Sequence, residues 1–310
     1  MVQNTHNAED FIVPLNINGL QGRMLHLPAK KADGREILFI YGHHSTHERW
    51  WGLMEVLNEY GTVTMPDLPG FGGMDSFYKL GQKPTIDSMA DYLAAFIKWR
   101  YKRKKKITIA GMSFGFVVVT RMLQRYPELT GKVDLLISIV GFAHKDDFTF
   151  SRERFIFYKS IAKLMATKPM AIIFRYVALN SLVLRTFYAR THNAKKKFEA
   201  AVTRKDVKRL MDVEIELWHK NDVRTQAFTS SEFFTLDNCN VSVDLPVWHV
   251  HTVNDHFFDH TVIEQHMRMI FSDFHSVETK IMSHAPSVIA NAEMAAPLIP
   301  SQLRKVLSKN

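Results

Sequence analysis

One cysteine, Cys239, is the only thiol among the 310 residues. A single thiol excludes an intrachain disulfide framework and fits a reducing compartment. No glycine-flanked turn surrounds it, so a small packing role is expected rather than a nucleophile. Long uninterrupted apolar runs are missing as well. The most apolar long segment, MAIIFRYVALNSLVLRTFY, is broken by Arg175, Asn180 and Arg185, which would be costly in lipid, so no membrane span is expected. The start, MVQNTHNAEDF, has no basic segment leading into an apolar core, so no secretory signal is expected either. These absences point to a soluble, cytoplasmic protein. Internal repeats and low-complexity tracts are also lacking.

Acidic residues are the minority: 40 Lys and Arg against 31 Asp and Glu leave a net charge of +9. The densest basic run, RYKRKKK (Arg100 to Lys106), falls between an amphipathic helix and an apolar strand, where a solvated loop belongs. Without zinc-finger spacing or an RNA-binding aromatic signature, it gives no reason to expect a nucleic-acid partner. Apolar residues make up 46% of the chain, enough for a sizeable core.

Apolar bursts alternate with helical periodicity, the pattern of parallel strands joined by crossover helices. REILFIYG, TVTMPDL, KITIAG, VDLLISIVGF, LPVWHVHTVND and SVETKIMS read as strands. Helices are expected between them, the first ending at Gly61 and the third at Pro127. From Lys145 the strand signals vanish and basic helical segments take over. Lys145 to Asn240 carries 18 Lys and Arg against 11 Asp and Glu, most of the chain's excess charge. In KDVKRLMDVEIELWHK, Val207, Leu210, Met211, Leu217 and Trp218 share one helical face. The expected fold is therefore α/β, a mostly parallel sheet flanked by helices. A helical cap is inserted after the sixth strand: residues 1–144 and 241–310 form the core, and 145–240 form the cap.

The stretch ITIAGMSFGFVVVTRM places Gly-Met-Ser-Phe-Gly at a strand-to-helix junction. That context turns Gly-x-Ser-x-Gly into a nucleophile elbow: the glycines permit a sharp turn, and Ser113 is held at a helix N-terminus that favours developing negative charge. A serine hydroxyl needs a base, oriented in turn by an acid. Asp255 ends one later strand and His284 follows the last, in the order serine, acid, histidine. Asp259, one helical turn from Asp255, and Asp146 or Asp147, after the sixth strand, are alternative acids.

The motifs ILFIYGHHS, VTMPDLPGFGGMD, IAGMSFG, RYPEL, VWHVHTVND and MSHAP together resemble the α/β-hydrolase superfamily, in its lidded esterase and lipase type. The resemblance covers roughly 36–143 and 245–299, and the inserted segment matches nothing in it. It implies Ser113 as nucleophile, Asp255 as orienting acid and His284 as base. The oxyanion hole would use the backbone N–H groups of Phe114 and His43, with His44 and Met112 lining the substrate site. The chain has Tyr41-Gly42 where such families usually carry His-Gly, and Phe116 where a second glycine is common.

No metal or organic cofactor is expected: adjacent His43 and His44 point apart, with no carboxylate pair nearby in sequence. PGFGGMD lacks the Gly-Lys-Ser/Thr ending of a phosphate loop and is expected to be a structural turn at the mouth of the site. The expected activity is a serine hydrolase cleaving an ester with an apolar acyl or alkyl group, its partner a small-molecule ester. Carbon–carbon bond hydrolysis, thioester hydrolysis and acyl transfer use the same triad. A catalytically silent fold is the reading from another class, binding an anionic membrane surface or a partner through the basic, apolar stretch from Lys168 to Arg190.

Overall fold

The computed structural model describes residues 8–30, 34–102, 106–190, 204–252, 255–279 and 291–309. Eight strands form one sheet: β1 (Ile12–Ile17), β2 (Leu20–Leu27), β3 (Arg35–Ile40), β4 (Gly61–Pro66), β5 (Ile107–Met112), β6 (Val133–Ile139), β7 (Val247–Thr252) and β8 (Phe274–Thr279). Their spatial order is β1-β2-β4-β3-β5-β6-β7-β8. β1 and β2 pair antiparallel, β2 pairs antiparallel with β4, and every later pairing is parallel.

The central strands are continuous apolar runs because helices cover both faces. All six residues of β5 are buried, as are the last four of β3. At the sheet edge, β8 exposes His275, Ser276 and Glu278 and buries Phe274, Val277 and Thr279; charge on an edge strand discourages pairing with another chain. β1 and β2 are joined through Asn18 and Gly19, whose φ angles of 51° and 81° give a left-handed two-residue turn. This turn fixes the register at Ile17 opposite Leu20.

Helices α1 (Trp51–Asn58), α2 (Ile86–Arg100) and α3 (Phe114–Arg125) complete the first crossovers. The first differs from the sequence expectation: α1 stops at Asn58, and Gly61 is instead the first residue of β4. A Cβ on Gly61 would strike the backbone of Arg35, so glycine there serves strand pairing rather than helix termination. α2 starts at Thr85, whose hydroxyl accepts the Ser88 N–H at 3.0 Å.

Between β6 and β7 the chain forms the cap helices α4 (Arg152–Met165), α5 (Lys168–Ile173), α6 (Ser181–Arg190), α7 (Arg204–Lys220) and α8 (Val223–Phe233). A π-helical turn, Phe174–Ala178, joins α5 to α6. Ala171, Leu179, Leu184, Ile215 and Val223 form a small core within the cap, backed by Met211 and Trp218. Both ends of this segment are zipped together. Lys145 N donates to Leu236 O at 2.9 Å, Asn238 N donates to Ala143 O at 3.1 Å, and His144 pairs with Asp237.

After β7 come α9 (His260–Ile270), α10 (Ala292–Ala295) and α11 (Ser301–Leu307). Arg35 ties α11 to the sheet: its Nε donates to Leu307 O at 2.9 Å, and its Nη1 pairs with Asp134 at 2.6 Å. No helix among the described residues is long and apolar enough to cross a membrane.

Candidate active site

Ser113 sits between β5 and α3 with φ 48° and ψ −117°, a region that non-glycine residues rarely occupy. The flanking glycines explain how the chain reaches it. A Cβ on Gly111 would lie 2.7 Å from Phe116 Cα, and one on Gly115 would overlap Ile40 O and come within 2.5 Å of Tyr41 O. The strand and helix backbones therefore close on each other and on β3, lifting Ser113 onto a partly exposed crest. Ser113 N donates to Ile139 O at 2.9 Å, tying the elbow to the end of β6. Gly115→Ala should cost about 3 kcal/mol and lower Tm by roughly 6 °C, since the helix must back away from β3. Gly131→Ala, with nothing within 4 Å of the added carbon, should leave Tm nearly unchanged in the same thermal melts.

The loop after β3 lies against the elbow: a Cβ on Gly42 would stand 3.3 Å from Met112 O and 3.4 Å from Ser113 Cβ. His43 follows directly. Its ring is packed edge-on by Phe71, Phe114 and Phe233, at centroid distances of 5.2, 5.5 and 5.2 Å. His43 Nε2 is 2.8 Å from Thr229 Oγ1 and 3.2 Å from Gln226 O. Because Thr229 already donates to Thr225 O at 2.9 Å, the imidazole donates from Nε2 to both oxygens. Burial holds the His43 pKa down at about 4, so the ring is neutral. His44 has φ 54°, packs at a tilt against Trp218 with ring centroids 4.2 Å apart and places Nδ1 3.1 Å from Gln226 Oε1. Met112 is buried, under Gly42.

Tyr41, the departure from His-Gly, has its own partners. Its hydroxyl donates to Asp67 Oδ1 at 2.7 Å and accepts the Leu68 N–H at 3.1 Å. Arg23 Nε donates to Asp67 Oδ2 at 2.9 Å, and Arg23 pairs with Glu48, which also meets Lys220 of the cap. Burial pushes Asp67 up to about 8 against the pull of Arg23 and Tyr41, and drives the neighbouring His47 down to about 3. Gly72 leaves the space that Asp67 fills. Gly70, with φ 84°, sits where a side chain would meet Thr225 at 2.6 Å. The glycine-rich loop is thus a docking turn between sheet and cap. Asp222 N donates to Gly70 O and Gly72 N to Asn221 Oδ1, both at 2.8 Å. Phe116, the other departure, fills the space left by Gly111 and Gly141 and packs on Phe271.

Asp255 lies past the carboxyl end of β7, where its Oδ1 accepts the Phe257 N–H at 2.9 Å. It shares a small cavity with Val140, Gly141, His249, His251 and His260. The alternative acids have other partners. Asp259 Oδ1 caps α9, accepting Thr261 N at 2.9 Å and Val262 N at 3.3 Å. Asp147 is buried: Oδ2 accepts the N–H groups of Ala143 and His144 at 2.7 and 2.9 Å, and Oδ1 lies 2.5 Å from His266 Nδ1. Asp146 is exposed beside His144. His284, with the MSHAP motif and the end of SVETKIMS, lies outside the described residues, as do Arg103 to Lys105 of the basic run. Among the described residues, no group of three or more His, Cys, Asp and Glu side chains converges as a metal site.

The arrangement matches known structures across nearly the whole chain. An esterase from Thermogutta terrifontis superposes with a TM-score of 0.61 at 16% identity, covering 95% of this chain and 98% of its own. A variant of an epoxide hydrolase from Bacillus megaterium gives 0.64 at 14% identity, covering 95% and 98%. A hydrolase from Oleispira antarctica gives 0.64 at 11%, covering 93% and 94%. The chain has the α/β-hydrolase fold. In sequence, the bifunctional biotin-biosynthesis protein BioHC of Teredinibacter turnerae is 26% identical over 173 residues. That match takes in 52% of this chain and only 28% of BioHC. No family model matches. Within this α/β-hydrolase frame, the supports of the loop after β3, Thr229, Gln226 and Arg23, come from distant elements and carry no local sequence signal. Asp67 lies within VTMPDLPGFGGMD, and the glycines that follow it leave the space in which it is buried.

Proposed function

We propose that the protein is a serine hydrolase cleaving a small carboxylic ester with an apolar acyl or alkyl group. The observation that carries this reading is the backbone of Ser113, a strained, partly exposed serine with the Gly42–His43 loop against its Cβ. Strain of this kind needs surroundings that enforce it, and such sites cluster where chemistry is done. In the proposed reaction Ser113 Oγ attacks the ester carbonyl while His284 takes its proton. Asp255 holds the imidazole tautomer and stabilises the imidazolium. The N–H groups of Phe114 and His43 receive the oxyanion. The C–O bond breaks, His284 returns the proton to the leaving alcohol, and water attacking by the same route frees the acid. No step calls for a metal or an organic cofactor.

The apolar preference rests on the rings around the elbow. Phe114 packs with Phe71 and Phe233, and Phe142 packs with Phe233 and Phe258. Rings packed beneath the elbow in this way would favour an apolar group over a polar one and help exclude water from the oxyanion. Serine at the elbow separates this site from the aspartate-nucleophile members of the same superfamily. Thioester hydrolysis, carbon–carbon bond hydrolysis and acyl transfer would use the same groups, and the pocket walls would choose among them.

A fluorophosphonate probe tests the reading without a guess at the substrate. Mass spectrometry should locate the adduct on Ser113, and Ser113→Ala should abolish it. Folded protein that stays unlabelled, in the presence and absence of detergent, would sink the proposal and favour a silent binding module.

A further inference from the structure

The cap carries two apolar faces, and only one has a core to enter. On α4, Phe155, Ala162 and Met165 are the less exposed side, while Phe157, Ile161 and Leu164 follow i, i+4, i+7 spacing and face solvent. The stripe continues through Ile173 and Val177 to Leu182. These six side chains are 43–73% exposed. A run of exposed large apolar residues along consecutive helices is unusual on a soluble monomer and marks a surface made to be covered.

Charge says what covers it. From Arg152 to Arg185 the sequence has seven Lys and Arg and a single acid, Glu153. Two of the seven are engaged: Arg175 donates to the carbonyls of His219 and Asn221, and Arg185 pairs with Asp212. Among the described residues, Lys159, Lys163 and Lys168 make no ion pair. A second copy of this chain would bring an equally basic face against this one, so self-association along the stripe would be electrostatically opposed. An anionic bilayer meets both demands, taking the apolar stripe into the acyl boundary and the lysines at the headgroups.

We propose that the protein docks reversibly on anionic lipid bilayers through the outer face of α4, α5 and α6. The groove between cap and core, about 520 Å³ in volume, shares Ile172, Tyr176 and Lys168 with this region, so docking sets its mouth at the lipid surface. The inference does not depend on catalysis by Ser113.

Co-sedimentation with vesicles tests it. Vesicles of phosphatidylcholine containing about one third phosphatidylserine should pellet the full chain, and phosphatidylcholine alone should not. Raising salt from ~0.1 M to ~0.5 M should weaken binding roughly tenfold. Phe157→Asn with Val177→Asn should weaken it roughly tenfold or more, and so should Lys163→Glu with Lys168→Glu. All four positions are surface residues, so both variants should keep the wild-type Tm. Ser113→Ala should bind like wild type, which separates this result from any failure of the hydrolase reading. Absence of pelleting with anionic vesicles overturns the proposal, as does pelleting that both variants leave intact. A concentration-dependent dimer abolished by the apolar variant, without vesicle binding, would assign the face to a second copy instead.

Discussion

Asp255→Asn should reduce ester turnover about 10⁴-fold while the protein stays folded, because in the proposed triad an amide there favours the wrong tautomer of His284. The loss should fall on kcat, with KM nearly constant, since in the proposed triad the acid acts on the base and not on the ester. Asp259→Asn is the matched control. Asp259 accepts two backbone N–H groups at the start of α9, and asparagine caps a helix about as well as aspartate, so activity and Tm should both survive. Asp147→Asn should behave in a third way. Its carboxylate holds the turn after β6 and meets His266, so the change should cost stability first and turnover only slightly. The same three variants can be ranked by their rate of fluorophosphonate labelling, which needs no substrate. If Asp259→Asn proves the crippled one, the orienting acid is reassigned. If none of the three slows labelling, Asp255, Asp259 and Asp147 are all excluded as the orienting acid.

Acid should unfold this protein well before ordinary carboxylates titrate. Three histidines are buried in the neutral form by desolvation: His43 at about 4, His47 at about 3, and His249 well below the usual histidine value. Unfolded, each would take a proton near pH 6.5. A lowered histidine adds stability above its unfolded pKa and loses it as pH falls toward the folded value. Between about pH 6 and 4.5 the unfolded chain therefore binds three more protons at these sites. Asp67 acts in the opposite sense: raised to about 8 by burial, it holds a proton in the folded state that the unfolded chain has released. For these four groups the net of two protons gives a slope of about 2.7 kcal/mol per pH unit, and His26, His251 and His260, also lowered by burial, steepen it. Urea midpoints measured at half-unit steps from pH 7 to 4.5 should show it. His249→Gln should flatten the slope by about 1.4 kcal/mol per unit, whatever it does to stability at pH 7. A midpoint that stays level down to pH 5 would mean that these rings are hydrated or paired as cations.

Much of this could be read from the sequence, and the misses have physical causes. Strands β3 to β7 were visible because burial on both faces writes itself as an unbroken apolar run, as in ILFI and ITIAGM. The elbow was visible because close approach of two backbones leaves glycine as the only fit at 111 and 115. The β1–β2 hairpin was not read, although Asn18-Gly19 is the dipeptide that its left-handed turn requires; its strands alternate irregularly and lack a long apolar run. Periodicity placed apolar residues on the cap helices but could not say which stripe of α4 turns outward, because that depends on where α8 packs. The support of His43 by Thr229 lies 186 residues away in the chain, beyond any local pattern. The same holds for the pairing of Arg23 with Asp67, where the partner was legible and the arginine was not.

The zipper that joins residues 143–145 to 236–238 has a consequence for how such a chain can change over generations. To the sheet, everything between those points amounts to one tight reversal, because the chain leaves and returns at the same place. Lengthening or replacing a stretch closed in this way costs only a slowly growing loop entropy, whereas one extra residue within β6 would turn every following side chain to the wrong face. The cap helices are therefore free to diverge as a cassette, while the strand ends carrying Ser113 and Asp255 keep their register. The cap surface can drift in such an architecture without disturbing the strained turn at Ser113.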